Sequence, residues 1–397
     1  MDNYSVNKKD GLSALFKEIS FIITIAFTEI AIFYIFMSFL IIEKFDKRLF
    51  FLIAIIVLFF YIIKKFHIIN DLIRNAYTKY KSFSIFFMVL LLLCTPFLLK
   101  NNTYLLHLCI MSGLYLVVVL GLNMVLGNVG MANFAFAAFF GIGAYTSALL
   151  TINFNFSFWW GILASIFLSA LGGLLIGLAT LKSTHIFYAL MTIAFQRIFH
   201  LLVNNLKFTG GPGGITNIPF PKIGEYSFGS TIAFFGTKLP YQANYYYLLL
   251  VAILFFLYIA YSLNVSHTGL AWNAIREDPI AARCQGINII RGKLEATIIG
   301  AIFAGIAGSI YAHYIGFICP ESFTFNLSVI FVGINIIGGL GSIEGVVLGS
   351  IILSIMPEKI RFLAETRMLF YGIIIILVLM FKPQGIIPEK TRQYNSI

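Results

Sequence analysis

Long apolar segments recur along almost the whole chain and are separated by short polar stretches. Many have about 20 residues, the length that an α-helix needs to cross the hydrocarbon core of a membrane. The regions 131–151 and 325–357 also contain glycines that favour broken or re-entrant helices. We therefore predict an all-α fold, a polytopic transmembrane helical bundle with broken or re-entrant Gly-rich helices. The predicted spans are 19–42, 49–63, 82–99, 104–126, 131–151, 158–180, 185–203, 245–264, 294–317, 325–340, 344–357 and 369–382.

Composition supports this interpretation. Of the 397 residues, 60% are hydrophobic and only 11% are charged, which leaves too few charges to cover a water-facing surface. A soluble enzyme, a secreted disulfide scaffold and a disordered tail are thereby excluded. The net charge of +11 reflects Lys and Arg in loops on the cytoplasmic side and not a nucleic-acid partner. The distribution of these residues favours both termini inside.

The predicted cytoplasmic loop 265–293 contains a short helix with clear boundaries. Asp278 is a good N-cap, Pro279 suits the first helical position, and Gly286 suits the position that follows the C-cap. The helix would place Ile280 and Ala281, together with Cys284, on one small apolar face. Such a face suits docking into a groove of a partner. The alternative is an ordinary interfacial loop helix.

The predicted external loop 204–244 is rich in Gly and Pro, with glycines at 210, 211, 213 and 214. This turn chemistry predicts a shaped loop and not a helix. Inside the spans, the sequence Gly338-Gly339-Leu340-Gly341 would break a helix, and broken helices line substrate pathways in transporters. Gln196 and Arg197 belong to span 185–203 and are further candidates for such a pathway. The alternative for Arg197 is a side chain at the external end of the span that extends its charge to the membrane surface.

No constellation for catalysis or metal binding occurs in the sequence. The six His residues and the four Cys residues are scattered, and no HExxH, GxSxG or Walker A pattern is present. We therefore expect no enzyme activity, no metal and no cofactor in this chain. Glu29 lies inside the first span, where we expect a buried, hydrogen-bonded carboxyl.

Several motifs resemble the permeases of branched-chain amino-acid ABC importers, of the longer-subunit type. The stretch Gly121–Leu150 resembles the family signature, and AIREDPIAARCQGIN within 269–293 resembles the family's cytoplasmic motif. Further similar motifs follow in order: TGGPGGITNIP, SIYAHYIGFICPESF, GGLGSIEGVVLG and FKPQGIIPE. Together they extend over most of the chain after residue 100.

The resemblance implies a permease subunit in a bacterial cytoplasmic (inner) membrane, driven by ATP through other chains. Its partners would be a homologous second permease, two cytoplasmic ATPase subunits that bind ATP and Mg, and a periplasmic or extracellular solute-binding protein. The implied organisation is a cytoplasmic segment 1–18, an N-terminal transmembrane extension 19–99, a permease core 100–382 and a cytoplasmic tail 383–397.

The resemblance and the patterns together nominate three sets of residues. The predicted set for ATPase coupling is Arg276, Glu277, Asp278, Pro279, Ile280, Ala281, Ala282 and Gly286. The predicted translocation path contains Asn133, Phe136, Gln196, Arg197, Gly338, Gly339 and Gly341. The predicted docking loop for the binding protein contains Gly210, Gly211, Gly213 and Gly214.

Substrate identity stays open at this point. Ala135 and Phe136 stand where the family commonly has Gly-His, and Glu344 stands where an apolar residue is more usual. Branched-chain amino acids are the leading prediction, and a permease for urea or short amides is the alternative within the superfamily. An ion-coupled secondary transporter is the alternative from another class. Since the spans show no opposed acid and base, we expect a mostly apolar conduit.

Overall fold

The computed structural model describes residues 3–41, 76–77, 79–100, 102–179, 185–234, 237–359, 367–382 and 384–389. The chain divides into two compact units, residues 1–105 and 106–397, and we describe each by itself. The predicted span 49–63 lies outside the described residues, as does most of the predicted tail.

The first unit contains helices α1 (Asn3–Ile41) and α2 (Lys81–Leu98) and the start of α3 (Thr103–Leu122). Glu29 on α1 is buried and accepts a hydrogen bond from the Ser84 hydroxyl on α2. The neighbouring Thr28 hydroxyl lies 3.0 Å from the hydroxyl of Tyr77. The carboxyl inside the first span therefore has the buried, hydrogen-bonded environment that the sequence predicts.

The second unit contains most of α3, which continues into a π-helical turn (Asn123–Asn128), and the remaining helices. Their bounds are α4 (Phe136–Asn153), α5 (Phe158–Ala179), α6 (His185–Asn205), α7 (Gln242–Val265), α8 (His267–Glu277), α9 (Pro279–Cys284), α10 (Ile289–Ile315), α11 (Phe325–Gly338), α12 (Ile343–Lys359) and α13 (Arg367–Phe381).

Within the described part of the chain, nine helical stretches are long and apolar enough to cross a membrane. The predicted fold class, a polytopic helical bundle, is confirmed. One predicted span begins too early: residues 129–135 are not helical, and α4 begins at Phe136. An apolar run by itself does not distinguish a buried extended segment from a helix.

The core of the second unit is formed by α4, α5 and α10, which pack closely. Small residues make this possible, because Gly143 lies against the backbone of Gly305 and Gly308 lies against the Phe140 carbonyl. A side chain at either glycine would collide with backbone atoms. The glycines of this core are therefore sites of helix–helix contact.

The loop between α6 and α7 has a defined structure. It contains two antiparallel pairs of short strands, β1 (Lys222–Ile223) with β2 (Tyr226–Ser227), and β3 (Ile232–Phe234) with β4 (Thr237–Leu239). Ile215 and Ile318 exchange two backbone hydrogen bonds of 2.8 and 3.0 Å, which attach the loop to the segment after α10. The loop is thus built from turns and hairpins, as its Gly and Pro content predicts.

Candidate functional site

The short helix α9 has the boundaries that its sequence predicts. The Asp278 side chain accepts hydrogen bonds from the backbone N–H groups of Ile280 and Ala281, at 2.8 and 3.0 Å. Pro279 occupies the first turn, and Gly286 has a φ of 82°, in the left-handed region. Local capping chemistry therefore isolates this helix between α8 and α10.

The two faces of α9 differ in exposure, and this corrects one predicted residue. Ile280 is 76% exposed, and Ala281 and Cys284 are also exposed. Ala282 is only 4% exposed, so it faces the protein and cannot contact a docked partner directly. The prediction of Ala282 as a docking residue is wrong in this geometry, because its position on the helix points inward.

An apolar face attaches helix α8 to the start of α10. Trp272 and Ile275 are almost completely buried, and Gly292 at the start of α10 lies directly against the Ile275 side chain. On the other side, Glu277 is largely exposed, with 78% of its side chain accessible. The helix pair α8–α9 therefore presents a mixed surface of Glu277, Ile280 and Ala281 away from the bundle.

Arg276 was predicted at the docking surface, but its side chain turns toward the bundle. Its Nη1 atom donates to the Gly127 carbonyl at 2.6 Å and lies 3.0 Å from Glu389 Oε2. Gly127 is in the π-helical turn after α3, and Glu389 follows the last helix. Arg276 therefore joins the α8–α9 pair to two distant parts of the chain.

The turn between α11 and α12 lies beside this arginine. Gly341 donates its backbone N–H to the Asn123 side chain at 2.9 Å, and a side chain at Gly341 would meet both Glu389 and Arg276. We call this group, Asn123, Gly127, Arg276, Gly341 and Glu389, the junction. It connects α3, α8, the α11–α12 turn and the C-terminal segment.

The sequence predicts a helix break at these glycines, and the last carbonyls of α11 find partners within the chain. The carbonyls of Ile337 and Gly338 accept hydrogen bonds from Ile386 and Ile387, at 2.8 and 3.1 Å. Carbonyl groups at the end of a helix need partners, and here the C-terminal segment supplies the donors. That Gly338, Gly339 or Gly341 contacts cargo stays a prediction.

The polar residues at the start of α4 are also satisfied within the chain. Asn133 donates to the Tyr188 hydroxyl at 2.7 Å and accepts from the Ala135 N–H at 2.8 Å. Ser328 on α11 accepts from the Ala137 N–H at 3.0 Å. Together with the completely buried Phe136, these contacts hold the non-helical segment 129–135 in place.

Gln196 and Arg197 are adjacent on α6 but face different surroundings. The Gln196 amide is buried and donates to the Phe323 carbonyl at 2.8 Å, whereas Arg197 is exposed. Asn133, Phe136 and Gln196 are therefore interior residues of this chain. Of the non-glycine residues predicted for the path, Arg197 is the one that faces outward.

The four predicted loop glycines also separate into two kinds. Gly210, Gly211 and Gly214 have positive φ angles of 79°, 56° and 70°, and Gly214 lies against the Ile318 carbonyl. Gly213 is exposed and has no atom near the position of a side chain. Three glycines therefore shape the loop, while Gly213 lies on its surface.

Sequence reasoning missed His313, which is completely buried at the end of α10. Its Nδ1 donates to the Pro219 carbonyl at 2.7 Å, and its Nε2 accepts from the Ser147 hydroxyl at 2.9 Å. The ring therefore attaches the external loop to α4. A lone His in an apolar span carried no pattern that indicates this role.

The described residues contain no group of three or more His, Cys, Asp or Glu side chains able to hold a metal ion. The geometry instead defines a polytopic helical membrane protein with a surface helix pair on one side and a structured loop on the other. These are the features of a transport permease.

The comparisons with known proteins give the family. A family model described as branched-chain amino acid transport system / permease component matches residues 104–379. The chain is 35% identical over 329 residues to the high-affinity branched-chain amino acid transport system permease protein LivM of Escherichia coli, covering 80% of this chain and 77% of LivM. The protein belongs to this permease family and resembles its LivM members, which are transport subunits and not enzymes.

More distant relatives are also permeases. The LivH permease of the same kind of system from Salmonella typhimurium is 27% identical over 288 residues, covering 69% of this chain and 91% of LivH. The fructose import permease FrcC of Rhizobium meliloti is 27% identical over 157 residues, covering 38% of this chain and 44% of FrcC. No solved structure matches this chain.

Proposed function

We propose that this chain is the longer permease subunit of an ATP-driven, binding-protein-dependent importer of branched-chain amino acids in a bacterial inner membrane. The observation that carries the proposal is the α8–α9 pair, a capped surface module attached to the bundle through Arg276. It has the form that a permease needs to receive motion from a cytoplasmic ATPase. The similarity to LivM supports the choice of cargo.

The partners follow from this role. A second permease subunit of the LivH kind completes the path, two ATPase subunits bind ATP and Mg, and a soluble binding protein delivers cargo to the external loop. When the ATPases close, they displace α9 and α8. The junction transmits that displacement to the α11–α12 turn, so that the bundle changes from one facing to the other.

The test is uptake by the complete importer. The chain is produced with its LivH-like partner, its ATPases and its binding protein in proteoliposomes that contain ATP, and uptake of radiolabelled leucine, isoleucine and valine is measured. We expect ATP-dependent uptake of all three. Uptake of labelled urea or acetamide in their place would assign the chain to the amide permeases, and leucine uptake driven by an ion gradient without ATP would refute the proposal.

A further inference from the structure

Arg197 has an unusual position for a charged residue. It lies eight residues before the end of α6 at Asn205, which is about 12 Å along the helix axis. Around it, Met191, Ile198 and Leu201 are 48%, 55% and 46% exposed, so the arginine interrupts an apolar outer face. A guanidinium in such a place is costly in lipid, which indicates that this face meets water, protein or cargo.

Glu321 lies on the segment that packs beside this part of α6. The 3₁₀ turn Pro320–Phe323 contacts α6, and the Phe323 carbonyl accepts the hydrogen bond from Gln196, the neighbour of Arg197. Phe323 is completely buried between Phe140 and Tyr145. Glu321 is nevertheless exposed, on a turn whose Phe323 carbonyl is bonded to the neighbour of Arg197.

These two opposite charges are not neutralised by the described part of the chain. The ion pairs found there involve Arg276, Arg291 and their acidic partners, and neither Arg197 nor Glu321 contributes to an ion pair or side-chain hydrogen bond. A lipid phosphate without an ammonium group would satisfy the arginine but not the glutamate. A ligand that carries both a carboxylate and an ammonium group satisfies both residues.

We propose that Arg197 and Glu321 form a clamp for the zwitterionic part of a free α-amino acid, in the outer half of the path between the two permease subunits. The planar guanidinium suits two parallel hydrogen bonds to the α-carboxylate, and the Glu321 carboxylate accepts from the α-ammonium group. This clamp rests on the proposed function and names the residues that recognise its cargo. It differs from the mostly apolar conduit that the sequence predicts.

The sequence did not indicate this pair because Glu321 falls between two predicted spans. The segment 316–324 does not stay at the end of the bundle, since Phe323 lies against Phe140 and Tyr311 within the packed helices. Folding therefore brings the turn that carries Glu321 against the helix that carries Arg197.

The test uses the complete permease–ATPase complex in nanodiscs, without the binding protein and without ATP, titrated with radiolabelled leucine. We expect saturable binding that weakens at least tenfold in Arg197→Gln and in Glu321→Gln. Isocaproate lacks the ammonium group of leucine, and isoamylamine lacks the carboxylate. In Glu321→Gln, which no longer binds the ammonium group, unlabelled isocaproate should displace labelled leucine as well as unlabelled leucine does. In Arg197→Gln, which no longer binds the carboxylate, isoamylamine should do the same.

Matched controls are Lys207→Gln and Glu225→Gln, which neutralise exposed charges in the external loop region and should bind leucine as the unaltered complex does. The conservative variants Arg197→Lys and Glu321→Asp should retain part of the affinity for leucine, because they keep the charges of the clamp.

Thermal melting shows whether each variant complex is folded. Absence of leucine binding in the unaltered complex, or unchanged affinity and unchanged competitor preference in both Gln variants, overturns the clamp. If the clamp fails while the unaltered importer still takes up leucine, the proposed function stands; if no amino acid is imported, both fail.

Discussion

The ion pair between Arg276 and Glu389 is expected to transmit motion from the ATPase side to the membrane helices. Both side chains are largely shielded from solvent, with 31% and 24% of their surfaces accessible. The perturbation that tests this is neutralisation to Gln, singly and together. Charge reversal is unsuitable, because it would place a carboxylate against the Gly127 carbonyl, which now accepts from Arg276 at 2.6 Å.

The magnitude follows from these contacts. Hydrogen bonds that involve a charged group contribute about 1.5–3 kcal/mol when buried, and partial exposure reduces this. We therefore expect Arg276→Gln, which weakens two contacts, to destabilise the junction by about 2 kcal/mol, and Glu389→Gln by about 1 kcal/mol. The double variant should reveal an interaction energy of about 1 kcal/mol, which corresponds to a roughly fivefold change in an equilibrium between two arrangements.

The assay measures leucine uptake and ATP hydrolysis in the same proteoliposomes. Because the ATPase sites are on other chains, Glu389→Gln should hydrolyse ATP at a normal rate while leucine uptake per ATP falls about fivefold. The matched control is Glu295→Gln, which removes the exposed ion pair of Arg291 with Glu295, 2.6 Å long, on the same side of the protein. An unchanged ratio of uptake to hydrolysis in Glu389→Gln, or an equal loss in Glu295→Gln, would refute the transmission of motion through the junction.

Two further predictions separate surface roles from structural ones. Because Ile280 is exposed on α9, Ile280→Arg should leave the melting temperature unchanged and lower leucine uptake at least tenfold. Because Ala282 is buried, Ala282→Arg should instead reduce the amount of folded protein. Thermal melting and uptake measurements distinguish the two outcomes. In the external loop, Gly214→Ala should reduce the stimulation of ATP hydrolysis by the loaded binding protein. The positive φ of Gly214 disfavours Ala by about 1 kcal/mol, and the Ile318 carbonyl blocks the added carbon. Gly213→Ala should behave as the unaltered chain, because no atom lies near the added carbon. Equal behaviour of the two members of either pair would contradict these assignments.

The features that could be predicted from sequence are those determined by neighbouring residues. The helix α9 begins at Pro279 because the side chain of Asp278 caps its own next turn, and the spans follow from runs of apolar residues. The predicted apolar face of Ile280, Ala281 and Cys284 is exposed. The burial of Ala282 was not foreseen, because apolar spacing on a two-turn helix does not say which side packs against α8 and α10. The helical prediction for residues 131–135 failed because Asn133 accepts a local hydrogen bond from the Ala135 N–H and also donates to Tyr188, 55 residues away, a partner that the local pattern does not show.

The junction depended on contacts between residues far apart in sequence. Arg276 lies 149 residues from Gly127 and 113 residues from Glu389, so a charged residue in a polar loop gave no sign of an inward partner. The same holds for the glycines after α11, whose pattern indicated a broken helix but not the C-terminal segment that supplies its donors. Short-range capping signals are readable in one sequence, whereas the partners of buried polar groups come from the tertiary fold.

Helix α11 joins the two sites that this structure brings forward. Its 14 residues, about 21 Å long, begin directly after the segment with Glu321 and end at the turn beside Arg276. The start of α11 is attached to neighbouring helices. Ser328 on α11 accepts a hydrogen bond from the Ala137 N–H of α4, and the Phe323 carbonyl just before α11 accepts from Gln196, the neighbour of Arg197. Because the turn with Glu321 is thereby held to α6, we expect the two charges of the clamp to keep their separation when the junction is displaced.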